Sequence, residues 1–444
     1  MAKEIYKWSI GYALLRFHVK LTFRLFYRSI DIKGLENIPK GVPVILAPNH
    51  QNALMDALAA MQGLKGVQVF IARADIFQNK FIARILNFIK ILPAYRMRDG
   101  YGNLGKNEEV FEKAIEVLQN GRIFCIMPEG THSEFRQLKP LVKGIFRLIF
   151  KYIEENPDKT RPVIIPVGLD YSNYQSCRSQ IIINYGKPID SNAFYELYQI
   201  NPAEGINRFR DQLSLELKPI MLNIEDKQEY ENINFLRELL RPLVFEKLQL
   251  NKKSSYNRFM ADKWFTEQCN QLVLANSMHF EKITKSIKKL MEVAKNYRME
   301  PSHIIPALNY SILPYIILPC ILFFPVFLIG LLFHILPLRA PRLLTNKIND
   351  RQFHSSVKFV LLGFLIPLWY LFWGILVYIF FNSLLLSLIA IAAFALIGEF
   401  SYRYYSIWEQ CYAYFKIKRN RKNFEEIKNA TNTIIDDFKT NRIL

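Results

Sequence analysis

Residues 44–56 read VILAPNHQNALMD, and the prediction of the fold starts from this stretch. The apolar residues at the start predict a buried strand, and the residues that follow predict a helix capped by Asn52. On one continuous helix a six-residue step turns through about 240°, so His50 and Asp56 can meet only if His50 lies in the loop and Asp56 on the helix. Because histidine titrates near neutrality, a pair in this arrangement predicts a general base oriented by a carboxylate.

A second apolar run also ends in a polar loop, where residues 123–133 read IFCIMPEGTHS. Together the two blocks resemble the glycerophosphate acyltransferase superfamily, whose members carry a His-x4-Asp block and a Phe-Pro-Glu-Gly-Thr-x-Ser block. Met127 stands where the family usually has Phe, and five residues instead of four separate His50 from Asp56. This longer spacing is similar to that of some eukaryotic-type glycerol-3-phosphate acyltransferases.

The resemblance implies an O-acyltransferase with His50 as catalytic base and Asp56 holding its ring. Glu129, Gly130 and Thr131 would shape the acceptor site, with Glu129 binding glycerol hydroxyls or pairing with an arginine. The expected reaction moves a fatty acyl group from acyl-CoA or acyl carrier protein to 1-acyl-glycerol-3-phosphate, which gives phosphatidate for phospholipid biosynthesis. The acyl donor is a co-substrate, and no metal or cofactor is expected.

A phosphate-binding cation is expected after the short apolar strand predicted at 91–94, because the resemblance implies an arginine there and a guanidinium fork suits phosphate oxygens. The candidates, in order of preference, are Arg96, Arg98 and Arg73, and the alternative is a surface arginine without a role. Lys143, just before a predicted helix, is either a further phosphate ligand or a solvated residue at the helix start. His132 occupies a variable position of the motif and is not expected to act as a second base.

Alternating strands and helices predict an α/β acyltransferase domain with a mostly parallel sheet covered by helices on both faces. The predicted strands are 44–48, 67–72, 122–127, 162–169 and 180–185. Ligands of such sheets bind at the carboxyl ends of the strands, where His50 and Glu129 both fall.

The net charge of +19 predicts an acidic partner, either nucleic acid or an anionic membrane surface. The apolar C-terminal third favours membrane lipids and argues against nucleic acid. The five cysteines are scattered without metal-ligand spacing, which indicates a reducing compartment and a catalytic domain that faces the cytoplasm.

Basic residues recur every fourth position from Arg16 to Arg28, beside a broad apolar face. This pattern is typical of a helix that lies in the membrane interface, and the alternative is a helix packed on its own domain. The predicted organisation is an interfacial helix over 1–30, an acyltransferase domain over 31–222, a polar helical segment over 223–303, transmembrane hairpins over 304–401 and a basic cytoplasmic tail over 402–444.

Two almost uncharged runs, 304–338 and 359–400, are long enough to enter a membrane. The second breaks at Asn382-Ser383, which predicts a turn between two spans. Because basic segments follow both runs and positive loops stay cytoplasmic, each run should enter and return, the first as a kinked or re-entrant hairpin.

Three other functions are compatible with the same residues. The runner-up is acylation of glycerol-3-phosphate or dihydroxyacetone phosphate, which the longer His-to-Asp spacing favours. Acylation of an amino-acid-based lipid is more distant. A non-catalytic membrane scaffold would make the polar residues of the two blocks dispensable.

Overall fold

The computed structural model describes residues 4–95, 105–275, 280–308, 313–419 and 421–444. These residues divide into two compact units. The first comprises Met1–Asn223 with Ile348–Phe359, and the second comprises Ile224–Lys347 with Val360–Leu444. The short segment Ile348–Phe359, which joins two apolar helices along the chain, therefore belongs to the unit that carries both motif blocks.

A sheet of eight strands among the described residues organises the first unit. Its strands are β1 (Ser29–Lys33), β2 (Val44–Pro48), β3 (Gln68–Arg73), β4 (Ile91–Ala94), β5 (Ile123–Cys125), β6 (Val163–Tyr171), β7 (Gln180–Tyr185) and β8 (Ile189–Asp190). Their order is β1-β7-β6-β2-β5-β3-β4, with β8 beside β6. All pairs are parallel except β6 with β7 and β6 with β8. The mostly parallel sheet is confirmed, and β1 and β8 are strands that the sequence patterns did not predict.

Seven helices among the described residues accompany these strands. They are α1 (Ile10–Phe26), α2 (Leu54–Ala60), α3 (Lys80–Phe88), α4 (Lys106–Gln119), α5 (Gly144–Glu155), α6 (Asn192–Ile200) and α7 (Pro202–Leu217). The central strand β2 is buried along its whole length because neighbouring strands and helices cover it. The buried faces of α4, α5 and α7 pack with β2 and β5 in one apolar core. The carboxyl ends of β2 and β5 are thereby held rigidly side by side.

Helix α1 ends at Phe26, and β1 begins inside the predicted helical region 1–30. Its basic stripe does not point only at solvent, because Arg16 and Lys20 each donate to the carbonyl of Leu64 at 2.8 Å. The opposite side of α1 leaves apolar side chains exposed, among them Leu14 and Phe17. The cations thus anchor α1 to its own domain, and a membrane-interface role for its exposed apolar side chains stays a prediction.

The second unit contains nine helices among the described residues. They are α8 (Tyr230–Lys247), α9 (Ser255–Ala275), α10 (Glu281–Asn296), α11 (Ile304–Ala307), α12 (Leu313–Leu322), α13 (Phe324–Thr345), α14 (His354–Phe381, whose first turn belongs to the first unit), α15 (Leu384–Arg419) and α16 (Arg421–Thr440). Helices α8, α9, α10 and α16 share one apolar core. The predicted boundary at 401 falls inside α15. The region predicted as a basic tail contains α16, whose Phe424, Ile434 and Phe438 are buried in that core, and its cytoplasmic location stays a prediction.

Three helical stretches of the described residues are long and apolar enough to cross a membrane: Phe324–Thr345, Arg351–Phe381 and Leu384–Arg419. The predicted break at Asn382 is found between α14 and α15. Small residues permit close helix packing here, since a side chain at Gly330 would collide with Ser401 and one at Gly398 with His334. In the first apolar run the structure has the ten-residue helix α12 followed by α13, so only α13 there has the length of a span. The number of crossings stays a prediction.

Candidate active site

His50 and Asp56 meet in the arrangement that their spacing requires. His50 follows β2, Asp56 lies in the first turn of α2, and His50 Nδ1 is 2.9 Å from Asp56 Oδ2. Between them lies Ala53, whose φ of 45° and ψ of −123° turn the chain sharply into the helix. Asn52 does not cap α2 as predicted, because its side chain instead donates to the carbonyl of Tyr174 at 3.2 Å.

Asp56 is fully buried and accepts hydrogen bonds on both oxygens. Oδ2 accepts from the backbone N–H groups of Gln51 at 2.7 Å and Asn52 at 2.6 Å, and Oδ1 accepts from the Tyr171 hydroxyl at 2.7 Å. A carboxylate can only accept, so His50 Nδ1 carries the hydrogen of the shared bond. The lone pair of the neutral ring then lies on Nε2, which is the arrangement that a general base requires.

Glu129 joins the two motif loops. Its Oε1 accepts from the backbone N–H of His50 at 2.7 Å, and its Oε2 accepts from the backbone N–H of Lys139 at 3.1 Å. Burial raises the pKa of Glu129 to about 7, although both amide hydrogen bonds act in the opposite direction. A second connection runs from the Ser133 N–H to the carbonyl of His50 at 3.1 Å. The carboxylate therefore fixes the position of His50, in addition to any contact that it makes with an acceptor.

Gly130 and Thr131 form the turn that follows Glu129. Gly130 has a φ of 65°, and a Cβ there would lie 3.1 Å from Val142 Cγ1, so the turn requires glycine. Thr131 Oγ1 accepts from Lys139 Nζ at 3.3 Å, and the same ammonium donates to the carbonyl of His132 at 2.8 Å. Lys139 is thus a cation of this loop that the sequence analysis did not select. Lys143 is exposed at the residue before α5, which leaves both of its predicted roles open.

Three arginines are predicted to bind the phosphate of the acceptor. Arg96 and Arg98 lie outside the described residues, so their assignment stays a prediction. Arg73 ends β3 and already pairs with Asp75, with 3.1 Å between Nε and Oδ1. This pairing makes Arg73 a weaker candidate than its position in the sequence indicated.

A buried ion pair supports the floor of the site and was missed by the sequence analysis. Arg136 Nη1 lies 2.5 Å from Asp170 Oδ1, and both side chains are almost fully buried. Arg136 also donates to the carbonyl of Tyr171 at 2.7 Å and lies 4.8 Å from the centre of the Tyr174 ring. Tyr174 in turn donates to Gln51 Oε1 at 2.6 Å. These partners are far apart along the chain, so the local spacing of residues in the sequence does not predict this hydrogen-bond network.

The geometry can be described as an imidazole base held by a buried carboxylate at the carboxyl edge of a mostly parallel sheet. No group of three or more metal-ligating side chains occurs among the described residues. Residues 29–170 match the model of the family described as Acyltransferase. The region that carries both motif blocks is therefore similar to an acyltransferase family, as the resemblance of the two blocks predicted.

Two relatives and one solved structure illustrate the range of similarity. Glycerol-3-phosphate O-acyltransferase 2 of Saccharomyces cerevisiae is 21% identical, with 73% of this chain and 59% of the relative covered. The chloroplastic 1-acyl-sn-glycerol-3-phosphate acyltransferase BAT2 of Brassica napus is 25% identical, with 41% of this chain and 48% of the relative covered. The chain thus spans less than two thirds of either relative. The acyltransferase PlsC of Thermotoga maritima has 16% identity and a TM-score of 0.33, with 47% of this chain and 80% of that chain covered.

Proposed function

We propose that this chain is a membrane-bound O-acyltransferase that transfers a fatty acyl group from a thioester donor to a hydroxyl of a glycerophosphate acceptor. The observation that carries the proposal is the His50–Asp56 pair at 2.9 Å, with His50 partly accessible and Asp56 fully buried. The match of residues 29–170 to the acyltransferase family supports the same chemistry. A scaffold without activity would not need a buried carboxylate to orient an accessible imidazole.

In the proposed reaction His50 Nε2 takes the proton of the acceptor hydroxyl as the hydroxyl oxygen attacks the thioester carbonyl carbon. A new C–O bond forms and the C–S bond breaks. Asp56 stabilises the imidazolium through the Nδ1 hydrogen bond, and the proton then passes from Nε2 to the departing thiolate. The products are an ester and a free thiol, so proton transfer within the site balances the reaction.

The acceptor predicted from the two motif blocks is 1-acyl-glycerol-3-phosphate. Glycerol-3-phosphate is a second candidate, because the match to the yeast glycerol-3-phosphate O-acyltransferase covers 73% of this chain and the match to the Brassica enzyme covers 41%. The His-to-Asp spacing, which Ala53 accommodates, points the same way. The donor is proposed to be acyl-CoA or acyl carrier protein, both acidic and therefore suited to a chain of net charge +19.

Membrane attachment in this proposal involves more than the three long apolar helices. In the first unit, α1 exposes Leu14 and Phe17, and α3 exposes Phe81 and Phe88. The two helices are adjacent, since the Phe88 ring is the neighbour of Gly11. Exposed apolar residues on adjacent helices suit insertion into a membrane interface, where an acyl chain is also delivered. We propose that the catalytic unit faces the cytoplasm, as the basic loops predict.

The proposal is tested by an acyl-transfer assay on the purified full chain in lipid nanodiscs, with glycerol-3-phosphate and its 1-acyl derivative offered separately with acyl-CoA and acyl carrier protein donors. We expect transfer to at least one acceptor, and loss of transfer by roughly 10²–10⁴-fold in the His50→Ala variant. Circular dichroism and thermal unfolding verify that the variant is folded. Absence of transfer in every combination, or near-normal transfer by His50→Ala, would contradict the proposal.

A further inference from the structure

The segment Ile348–Phe359 contacts the catalytic loops at several points along its length. Asp350 Oδ2 lies 3.3 Å from His132 Nε2, and the Phe353 ring meets the His132 ring edge-on with 5.1 Å between centroids. Ser355 Oγ donates to Asn52 Oδ1 at 2.5 Å, and both side chains are buried. A segment that the sequence places between two apolar runs thereby becomes part of the wall around the catalytic residues.

The contacts continue away from the catalytic loops and fix the segment further. Lys358 Nζ donates to the carbonyl of Gln175 at 2.9 Å. Phe359 is buried and packs edge-on against Phe23 and Phe26 of α1, with centroids 6.2 Å and 5.7 Å apart. The position of Asp350 beside His132 is therefore held by polar and apolar contacts on both the loop and the helix that follows it.

The His132 ring lies directly beside the catalytic ring. The centroids of His132 and His50 are 5.5 Å apart and the ring planes are almost perpendicular. His132 and Asp350 thus repeat, next to the catalytic pair, the combination of an imidazole with a carboxylate. The two pairs differ in exposure, because the side chain of Asp350 is 48% exposed and that of Asp56 is buried.

The hydrogen bond to Asp350 decides which ring nitrogen of His132 carries a hydrogen. A carboxylate accepts only, so Nε2–H donates to Asp350 and the lone pair of the neutral ring lies on Nδ1. Burial lowers the pKa of His132, and the lowering outweighs the opposite effect of Asp350, which favours the neutral form of the ring. A neutral Nδ1 can accept a hydrogen bond from a hydroxyl, and it repels an oxygen that has no hydrogen.

We infer that His132, held by Asp350, is a specificity-determining residue that accepts a hydrogen bond from the second free hydroxyl of glycerol-3-phosphate while His50 deprotonates the first. The inference rests on the proposed acyl transfer. Hydroxyls on adjacent carbons lie close enough together for two rings in contact to engage one each. The 1-acyl derivative has an ester oxygen at the second position and dihydroxyacetone phosphate has a carbonyl, so neither can donate to Nδ1. His132 therefore favours glycerol-3-phosphate over both.

The test compares kcat/KM for glycerol-3-phosphate, its 1-acyl derivative and dihydroxyacetone phosphate in the full chain, with acyl-CoA and acyl carrier protein donors offered in parallel. His132→Phe keeps an aromatic ring beside Phe353 but removes the acceptor nitrogen, and it should lower kcat/KM for glycerol-3-phosphate roughly tenfold more than for the other two acceptors. Asp350→Ala should shift the preference in the same direction, because either ring nitrogen is then free to carry the hydrogen. His132→Gln, which restores an acceptor oxygen, should recover part of the preference.

Two features of the design keep the result interpretable. Asn349→Ala, an exposed neighbour of Asp350, is the matched control and should leave the preference unchanged. The ratio of kcat/KM values between acceptors does not depend on the active fraction of a preparation, so partial misfolding of a variant does not mimic the effect.

If the wild-type chain acylates none of the three acceptors, the proposed function fails and the inference with it. If it acylates one of them, but prefers the 1-acyl derivative or shows the same preference in His132→Phe, only the inference is overturned.

Discussion

The two units each bury an aspartate, and the partners of the two carboxylates differ. Asp56 in the first unit accepts from two backbone N–H groups, a tyrosine hydroxyl and one imidazole. Asp262 in the second unit is surrounded by guanidinium groups, with 2.6 Å to Arg237, 2.7 Å to Arg241 and 3.1 Å to Arg258. Burial alone would raise the pKa of Asp262, but these three cations hold it well below its usual range.

The difference distinguishes the carboxylate that is proposed to take part in catalysis from the one that stabilises the packing of the second unit. Neutral donors satisfy Asp56 without cancelling its charge, so the charge remains available to orient and stabilise His50. Three guanidinium groups lie around Asp262 and compensate its charge directly. A buried aspartate therefore indicates an active site only when one of its partners is a titratable group that reaches the surface.

The sharpest test of this distinction is Asp56→Asn. The amide keeps the size of the side chain but cannot compensate an imidazolium, so acyl transfer should fall by roughly 10²–10⁴-fold. Steady-state transfer assays measure the loss, and thermal unfolding of the same preparation provides the control for folding. Turnover like that of the wild type would mean that Asp56 only organises the start of α2.

For the second unit the corresponding change, Asp262→Asn, should affect stability. Removing one partner of a buried ionic cluster leaves uncompensated cations, which costs about 3–5 kcal/mol. Chemical unfolding followed by circular dichroism would measure the loss. Glu267→Gln on the same helix is the matched control, because Glu267 is half exposed and its pair with Lys263 is worth at most about 1 kcal/mol. A loss for Asp262→Asn no larger than that of the control would show that the cluster does not stabilise the unit.

Glu129 is intermediate between these cases, since neutral amides hold it and burial raises its pKa to about 7. The folded state then binds more protons than the unfolded state between the usual glutamate pKa and about 7, so stability should fall as the pH rises through that window, by up to about 3 kcal/mol. Glu129→Gln cannot titrate and should lack this part of the pH dependence. Unfolding free energies at pH 5 and pH 7.5 for both proteins would measure it, and parallel profiles would contradict the assignment.

The smallest expected effect concerns the backbone that lets Asp56 reach His50. Ala53 has a positive φ of 45°, which glycine adopts at lower cost, so Ala53→Gly should raise stability by about 1 kcal/mol. Ala59→Gly, in the same helix α2 with ordinary helical geometry, is the control and should lower stability by about 1 kcal/mol. A loss for both variants would show that the Ala53 conformation stores no strain.

Much of the first unit was predictable because its signals are local. Buried strands such as β2 and β6 are continuous apolar runs, and His50, Asp56 and Glu129 follow strands at positions that any parallel sheet brings to one edge. Half-buried β1 escaped prediction because charged residues interrupt it and a helical pattern precedes it. Lys139 escaped for another reason: its contacts with Thr131 and His132 depend on how the loop folds back.

The amino-acid sequence by itself determined the strand and helix periods, the two motif blocks with their resemblance to acyltransferases, and the apolar character of the C-terminal helices. Only the tertiary structure decided that Asp350 and Ser355, more than two hundred residues from the motifs, lie against His132 and Asn52. The physical reason is that hydrophobic periodicity and local spacing act over a few turns of chain, whereas the partners of a buried polar group are set by which distant segments the packing brings together.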